Sequence, residues 1–226
     1  MPVRFANGAP RFMIVPEQRP ASPEAAPTLS FGAVILAAGG STRMGQPKQL
    51  LPIDGAPLVM RAVHAALASP VWPIVVVLGH AAEKIRPLLA RVPLQIVVNP
   101  RWSEGLGSSL VSGIEILDQF STSLDGAMIA LADQPHLSAS AIRRLASAFI
   151  GKNGITAARY SRALGAPVIF GRSFFPELLA LPPDQGAQGL LRRHAATVTA
   201  VDLPELSVDL DTPEDYQRFL EASPPP

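Results

Sequence analysis

The chain has 226 residues, with 19 basic against 18 acidic side chains for a net charge of +1, 48% hydrophobic residues and no cysteine. That balance supplies no bulk field for a nucleic-acid backbone or an anionic membrane, and the missing thiols exclude disulfides, thiolate zinc sites and cysteine nucleophiles. No run reaches the roughly 18 apolar residues of a membrane span, while the apolar content suffices for the core of one α/β domain.

Residues 1–30 carry Pro2, Pro10, Pro16, Pro20, Pro23 and Pro27 among scattered alanines, a composition that builds no core of its own and reads as a disordered tail. The opening MPVRFANGAPRF lacks the apolar stretch of a secretory signal, so a cytoplasmic location is expected. From there short apolar, β-branched runs at 33–36, 74–78, 95–98 and 127–130 alternate with helix-length segments near 58–68, 81–90, 108–117 and 140–149. Further strands are expected at 166–170 and 197–202, and 222–226 reads as a frayed end. Continuous apolar strands joined by helices predict an α/β fold, a mostly parallel sheet covered on both faces, with residues 31–221 as one domain. Ligands of such sheets sit beyond the carboxyl ends of the strands, which directs attention to the loops after Leu36, Leu78, Val98 and Ala130.

The first of these loops is Ala37-Ala38-Gly39-Gly40-Ser41-Thr42-Arg43-Met44-Gly45-Gln46-Pro47-Lys48. Glycines let backbone N–H groups approach anionic oxygens, and Arg43 and Lys48 add a planar fork and a point charge suited to phosphate. Gln46-Pro47 stands where a Walker loop needs Lys-Ser/Thr, and no G-x-G-x-x-G follows the strand.

After the strand at 95–98 come Asn99-Pro100 and Glu104-Gly105-Leu106-Gly107-Ser108-Ser109. The serines are either helix caps or donors to O2 or N3 of a pyrimidine. Trp102 either packs or caps the cleft. Asp133 follows the strand at 127–130 and brings a carboxylate to its carboxyl end, where it either ligates Mg²⁺ or closes an Asx turn with Gln134-Pro135. Asp209 and Asp211 share a face of an extended segment, and Asp211 is the candidate second metal ligand. Thr212-Pro213-Glu214-Asp215 reads as a helix start with a capping box. His64, His80, His136 and His194 show no metal-ligand spacing.

The run LAAGGSTRMGQPKQLLPIDGAPL, then NPRWSEGLGSSL, LADQP, DQGA and DLDTPEDY, resembles in that order the MobA-like nucleotidyltransferases, and within them the molybdenum cofactor cytidylyltransferases. The resemblance spans about residues 31–220. It implies a Rossmann-like fold of the nucleotide-diphospho-sugar transferase type and Mg²⁺-dependent transfer of CMP from CTP to the terminal phosphate of the molybdopterin cofactor, with release of pyrophosphate. On this resemblance Leu36, Ala37, Ala38, Gly39, Gly40, Ser41, Asn99, Gly107, Ser108 and Ser109 line the nucleotide. Arg43 and Lys48 meet its phosphates, Asp133 is the catalytic metal ligand, and Asp184 and Gln188 contact the acceptor. A molybdoenzyme or its maturation chaperone is the implied protein partner.

Two positions on the acceptor side depart from the family's pattern, Gly165-Ala166-Pro167 in place of Gly-His-Pro or Gly-Asn-Pro, and Pro183-Asp184 in place of Gly-Asp. The alternatives are guanylyl or other nucleotidyl transfer to a small phosphorylated acceptor, and a non-catalytic cofactor-binding maturation chaperone.

Overall fold

The computed structural model describes residues 29–120, 123–160 and 163–222. The expected tail, except Leu29 and Ser30, and residues 223–226 lie outside the described residues, and Ala222 itself closes the last helix. In chain order the elements are β1 (Phe31–Ala37), β2 (Pro52–Ile53), β3 (Ala56–Pro57), α1 (Leu58–Leu67), β4 (Ile74–Leu78), α2 (Ala82–Leu89) and β5 (Gln95–Val98). They are followed by α3 (Leu106–Phe120), β6 (Gly126–Leu131), α4 (Ala139–Ala148), β7 (Ile155–Tyr160), β8 (Ala163–Gly171), α5 (Phe175–Leu179), α6 (Gln188–Arg193), β9 (Val198–Asp202) and α7 (Pro213–Ala222).

Seven strands form one sheet in the order β5-β4-β1-β6-β8-β7-β9. β1, β4, β5 and β6 run parallel, whereas β8 runs opposite to both β6 and β7. The mostly parallel sheet expected from the sequence is therefore present. The strand expected at 166–170 is present as β8, but its antiparallel direction was not legible, nor was its partner β7, in which Ala-Ala-Arg has little strand propensity.

Every residue of β1 and β4 is buried, as strands covered on both faces require. Alternation along β1 sends Ala33 and Ile35 to one layer, with Val59 and Val63 of α1, Ile85 of α2 and Ile142 of α4. Val34 and Leu36 meet the other layer, built by Leu110, Ile114 and Leu117 of α3, Leu178 of α5 and Leu190 of α6.

β2 and β3 form a hairpin through Asp54 and Gly55, both at positive φ, 48° and 77°. These are the two left-handed positions of a type I′ turn. Ile53 of the hairpin packs with Leu58, Leu210 and Phe219, and the Tyr216 hydroxyl donates to the Pro52 carbonyl at 2.6 Å, so α7 is anchored there. The chain winds outward from β1 to β4 and β5, then returns to β6 on the other side of β1. The strand order thus reverses at β1, and a crevice opens beyond its carboxyl end. No helix among the described residues is long and apolar enough to cross a membrane.

Candidate active site

The loop after β1 is held in shape by its own polar side chains. Ser41 takes a left-handed φ of 50°. Its Oγ accepts from the Lys48 amide at 3.0 Å, and its carbonyl accepts from the Met44 amide at 3.0 Å. Beneath the loop, Gln49 is only 3% exposed. Its Nε2 donates to the Gly39 carbonyl at 3.0 Å, and its Oε1 accepts from Ser41 Oγ at 3.4 Å. A buried amide satisfied in this way fixes the backbone it grips. Gln49 was missed in the sequence, although a lone polar residue before Leu50-Leu51 and directly after Lys48 is the signal that could have found it.

The ends of β1 and β6 and the start of α7 bring Lys48, Asp133 and Asp211 together. Lys48 Nζ lies 2.5 Å from Asp133 Oδ2 and 3.0 Å from Asp211 Oδ1, and Arg43 donates to Asp211 Oδ2 at 2.8 Å. Burial pulls the Lys48 ammonium down, but Asp133 and Asp211 outweigh it and leave its pKa raised. The hydrogen bond from Lys48, helped by the charges of Lys48 and Arg43, holds Asp211 below the usual carboxylate range. Asp209 is pushed up by partial desolvation and by the like charges of Asp133 and Asp211.

Asp133 Oδ1 is buried without a hydrogen-bond partner, a cost that a ligand at that oxygen would remove. Asp133 and Asp211 are both hard oxygen donors, so the pair fits a divalent cation that completes its shell with phosphate oxygens and water. The helix start reads as expected. The Asp215 amide donates to Thr212 Oγ1 at 3.2 Å and Asp215 Oδ2 accepts from the Thr212 amide at 2.9 Å. Asp215 therefore does the capping, and the Asp211 carboxylate is left to face Lys48.

On the other wall, Asn99 is 2% exposed and its Nδ2 donates to Ser108 Oγ at 2.9 Å and Ser109 Oγ at 3.0 Å. The single Ser108 proton is shared between the Arg101 and Gly105 carbonyls, each 2.8 Å away. The reading of Ser108 as a base donor is corrected on this ground: its hydroxyl is consumed in closing the turn before α3. Ser109 accepts from Asn99 and lines the cleft, so its proton can meet a ligand.

Ser108→Ala leaves the buried Asn99 amide partly unpaired and is expected to cost about 1–3 kcal/mol of stability with little change in KM. Ser109→Ala should instead raise KM for the nucleotide at nearly unchanged melting temperature. Thermal melts and steady-state kinetics on both variants check this split, and equal behaviour of the two would contradict it.

Gly105, at φ 128°, brings its backbone against Asp184, where a Cβ would lie 2.7 Å from the Asp184 Cα. At Gly107 a Cβ would collide with the Pro182 and Gln185 carbonyls, and the Ser108 amide donates to the Pro183 carbonyl at 3.0 Å. Gly107 serves this docking rather than lining the nucleotide cleft. Trp102 lies over Gly40 and Gly79, its ring 5.0 Å from that of His80, and its side chain also lines the cleft.

The resulting cleft is about 400 Å³, within the range of small-molecule sites. Leu36, Ala38, Gly39, Ser41, Arg43, Lys48, Ser109, Asp133 and Asp211 line it. Ala37, Gly40, Asn99, Gly107 and Ser108 stand behind that lining: Ala37 is 2% exposed in the core, Gly40 lies under Trp102 and Asn99 braces the serines. Gly105, expected to bring its backbone to the base, lines the cleft, as do Thr42, Gln49, Leu106, Leu131 and Ala132, which had not been singled out as nucleotide contacts.

A family model described as the MobA-like NTP transferase domain matches residues 33–198. The chain is 34% identical over 198 residues to nicotine blue oxidoreductase of Paenarthrobacter nicotinovorans, covering 83% of this chain and 95% of that protein. It is 34% identical over 204 residues to the purine catabolism protein PucB of Bacillus subtilis (strain 168), covering 84% and 95%. Among solved structures, the manganese complex of Rv0371c from Mycobacterium tuberculosis H37Rv is similar with a TM-score of 0.70 at 27% identity, covering 86% of this chain and 100% of that one.

Proposed function

This chain belongs to the MobA-like NTP transferase family, and from that premise we propose that it transfers CMP from CTP to the terminal phosphate of the molybdopterin cofactor, releasing pyrophosphate, with Mg²⁺ bound. The observation that carries the reading is the meeting of Arg43, Lys48, Asp133 and Asp211 in one cleft beside the glycine loop. An anionic acceptor oxygen attacks the α-phosphorus, the bond to the bridging oxygen of the β-phosphate breaks, and pyrophosphate departs. The acceptor arrives as its own nucleophile, so the chain's work is alignment and charge stabilisation.

Backbone amides of the loop that Gln49 holds and the Ser109 hydroxyl orient the nucleotide, while Arg43 and Lys48 take up charge on the β- and γ-phosphates. Asp133, with Asp211, would hold a divalent cation, which would neutralise charge at the α-phosphate and the leaving pyrophosphate. For a cytosine over a purine, the support is Ala38, whose methyl narrows the cleft wall, and Ser109 at the opposite wall. The acceptor rests on the resemblance of the DQGA and DLDTPEDY segments. A molybdoenzyme or its chaperone would then receive the product.

A second reading is favoured by the name of the Paenarthrobacter relative, which is an oxidoreductase. Against it stands the loop after β1, which has no G-x-G-x-x-G for a dinucleotide pyrophosphate. Pyrophosphate release with CTP, GTP, UTP and ATP in parallel, beside oxidation of NADH and NADPH, separates the two. Release that is fastest with CTP and requires the cofactor is expected. Nicotinamide oxidation without pyrophosphate release would replace this reading.

Since residues 1–28 have a composition that builds no core and the family model begins at residue 33, their deletion is expected to leave the transfer rate within about threefold. A hundredfold loss in that rate assay would make the segment part of the site.

A further inference from the structure

Lys48 stands in two roles that exclude one another. Its ammonium bridges Asp133 Oδ2 and Asp211 Oδ1, and Arg43 holds the remaining Asp211 oxygen. Of the four carboxylate oxygens, only Asp133 Oδ1 is buried without a partner. A divalent ion ligated by both aspartates must share their charge with an ammonium a few ångströms away, a repulsion poorly screened at a half-buried position. Lys48 is a point charge on a flexible four-carbon stem, so it can move to another anion, and the neighbouring glycine loop is where a phosphate chain would offer one.

We propose that Lys48 makes the cation site conditional on a polyphosphate: the ammonium leaves the two carboxylates only in exchange for phosphate oxygens, so cation and nucleoside triphosphate bind as a coupled pair. This rests on the nucleotidyl-transfer reading and goes beyond it, because it gives Lys48 a selective role before any chemistry. A monophosphate or a free cation, each lacking half of the exchange, binds weakly. Coupling of this kind is reciprocal, so the factor by which a nucleoside triphosphate raises cation affinity is the factor by which the cation raises nucleotide affinity.

Mn²⁺ binding to the full chain without nucleotide, followed by the loss of the free-ion electron paramagnetic resonance signal, tests the idea without reference to turnover. Lys48→Gln and Lys48→Met are each expected to bind Mn²⁺ roughly tenfold or more tightly than the unmodified chain, because a unit charge beside the ion is gone. Arg43→Gln, which frees Asp211 alone, should gain less. Equal or weaker Mn²⁺ affinity in both lysine variants overturns the proposal.

A second measurement needs no variant: a crystal structure of the unmodified chain with Mn²⁺ and CTP should show Lys48 Nζ on phosphate oxygens. Lys48 still bridging Asp133 and Asp211 beside the bound ion also overturns it. Failure of the transfer reading registers separately, as absent pyrophosphate release by the unmodified chain.

Discussion

Asp133→Asn is expected to fold normally and to lose at least about 10²-fold in kcat, with the residual rate requiring far more Mg²⁺. Asparagine keeps the size of the side chain and makes an Asx turn as readily as aspartate, so a turn role predicts no loss. What it removes is the negative charge that a hard cation and the Lys48 ammonium both require. Asp133 Oδ1 is buried and unpaired, so its replacement by an amide costs no existing hydrogen bond at that atom, and any fall in melting temperature comes from the ion pair of Asp133 Oδ2 with Lys48. A near-normal rate with unchanged Mg²⁺ dependence would refute the metal role and transfer it to Asp211.

Lys48→Ala and Arg43→Ala are each expected to lower kcat, on the scale of about 10²–10³ for removal of one preorganised electrostatic stabiliser. The structure ranks them. The Lys48 side chain is 16% exposed, whereas Arg43 is 69% exposed and reaches Asp211 alone. Solvent screens the arginine more, which sets Lys48 at the upper end and Arg43 at or below the lower. Steady-state kinetics on both, with circular dichroism to confirm folding, check the order. Unmodified rates in both would dissolve the assignment of the loop to phosphates.

The parallel half of the sheet was legible because β1, β4 and β6 are unbroken apolar runs whose composition suits strands buried on both faces. The place of the loop on the cleft wall was legible because it follows a strand whose carboxyl end opens on the crevice. The cap formed by Thr212 and Asp215 was legible in the sequence, whereas Asp209 and Asp211 competed for one role there, and the fold places Asp211 on the cleft wall.

Other features depend on partners distant in the chain. The burial of Gln49 beneath Gly39, and the docking of residues 182–185 on Gly105 and Gly107, are tertiary contacts without a local signature. The Asp54-Gly55 hairpin carried a readable signal, an Asp-Gly pair suited to a type I′ turn, but its strands are two residues each and too short for alternation to show. Ser108 looked like Ser109 in the sequence. Helical geometry separates them, turning one hydroxyl back to Arg101 and Gly105 and leaving the other at the cleft wall.

The reaction proposed for this chain is cleavage between the α- and β-phosphates of CTP with the CMP moiety kept on a phosphorylated acceptor. It is tested most directly by following the label of CTP marked at the α-phosphorus, incubated with the full chain, Mg²⁺ and isolated molybdenum cofactor. The label is expected to move into a cofactor dinucleotide in step with pyrophosphate, and Asp133→Asn to slow both by at least about 10²-fold. Label remaining in CTP, or appearing only as free CMP whether or not the cofactor is present, would contradict it.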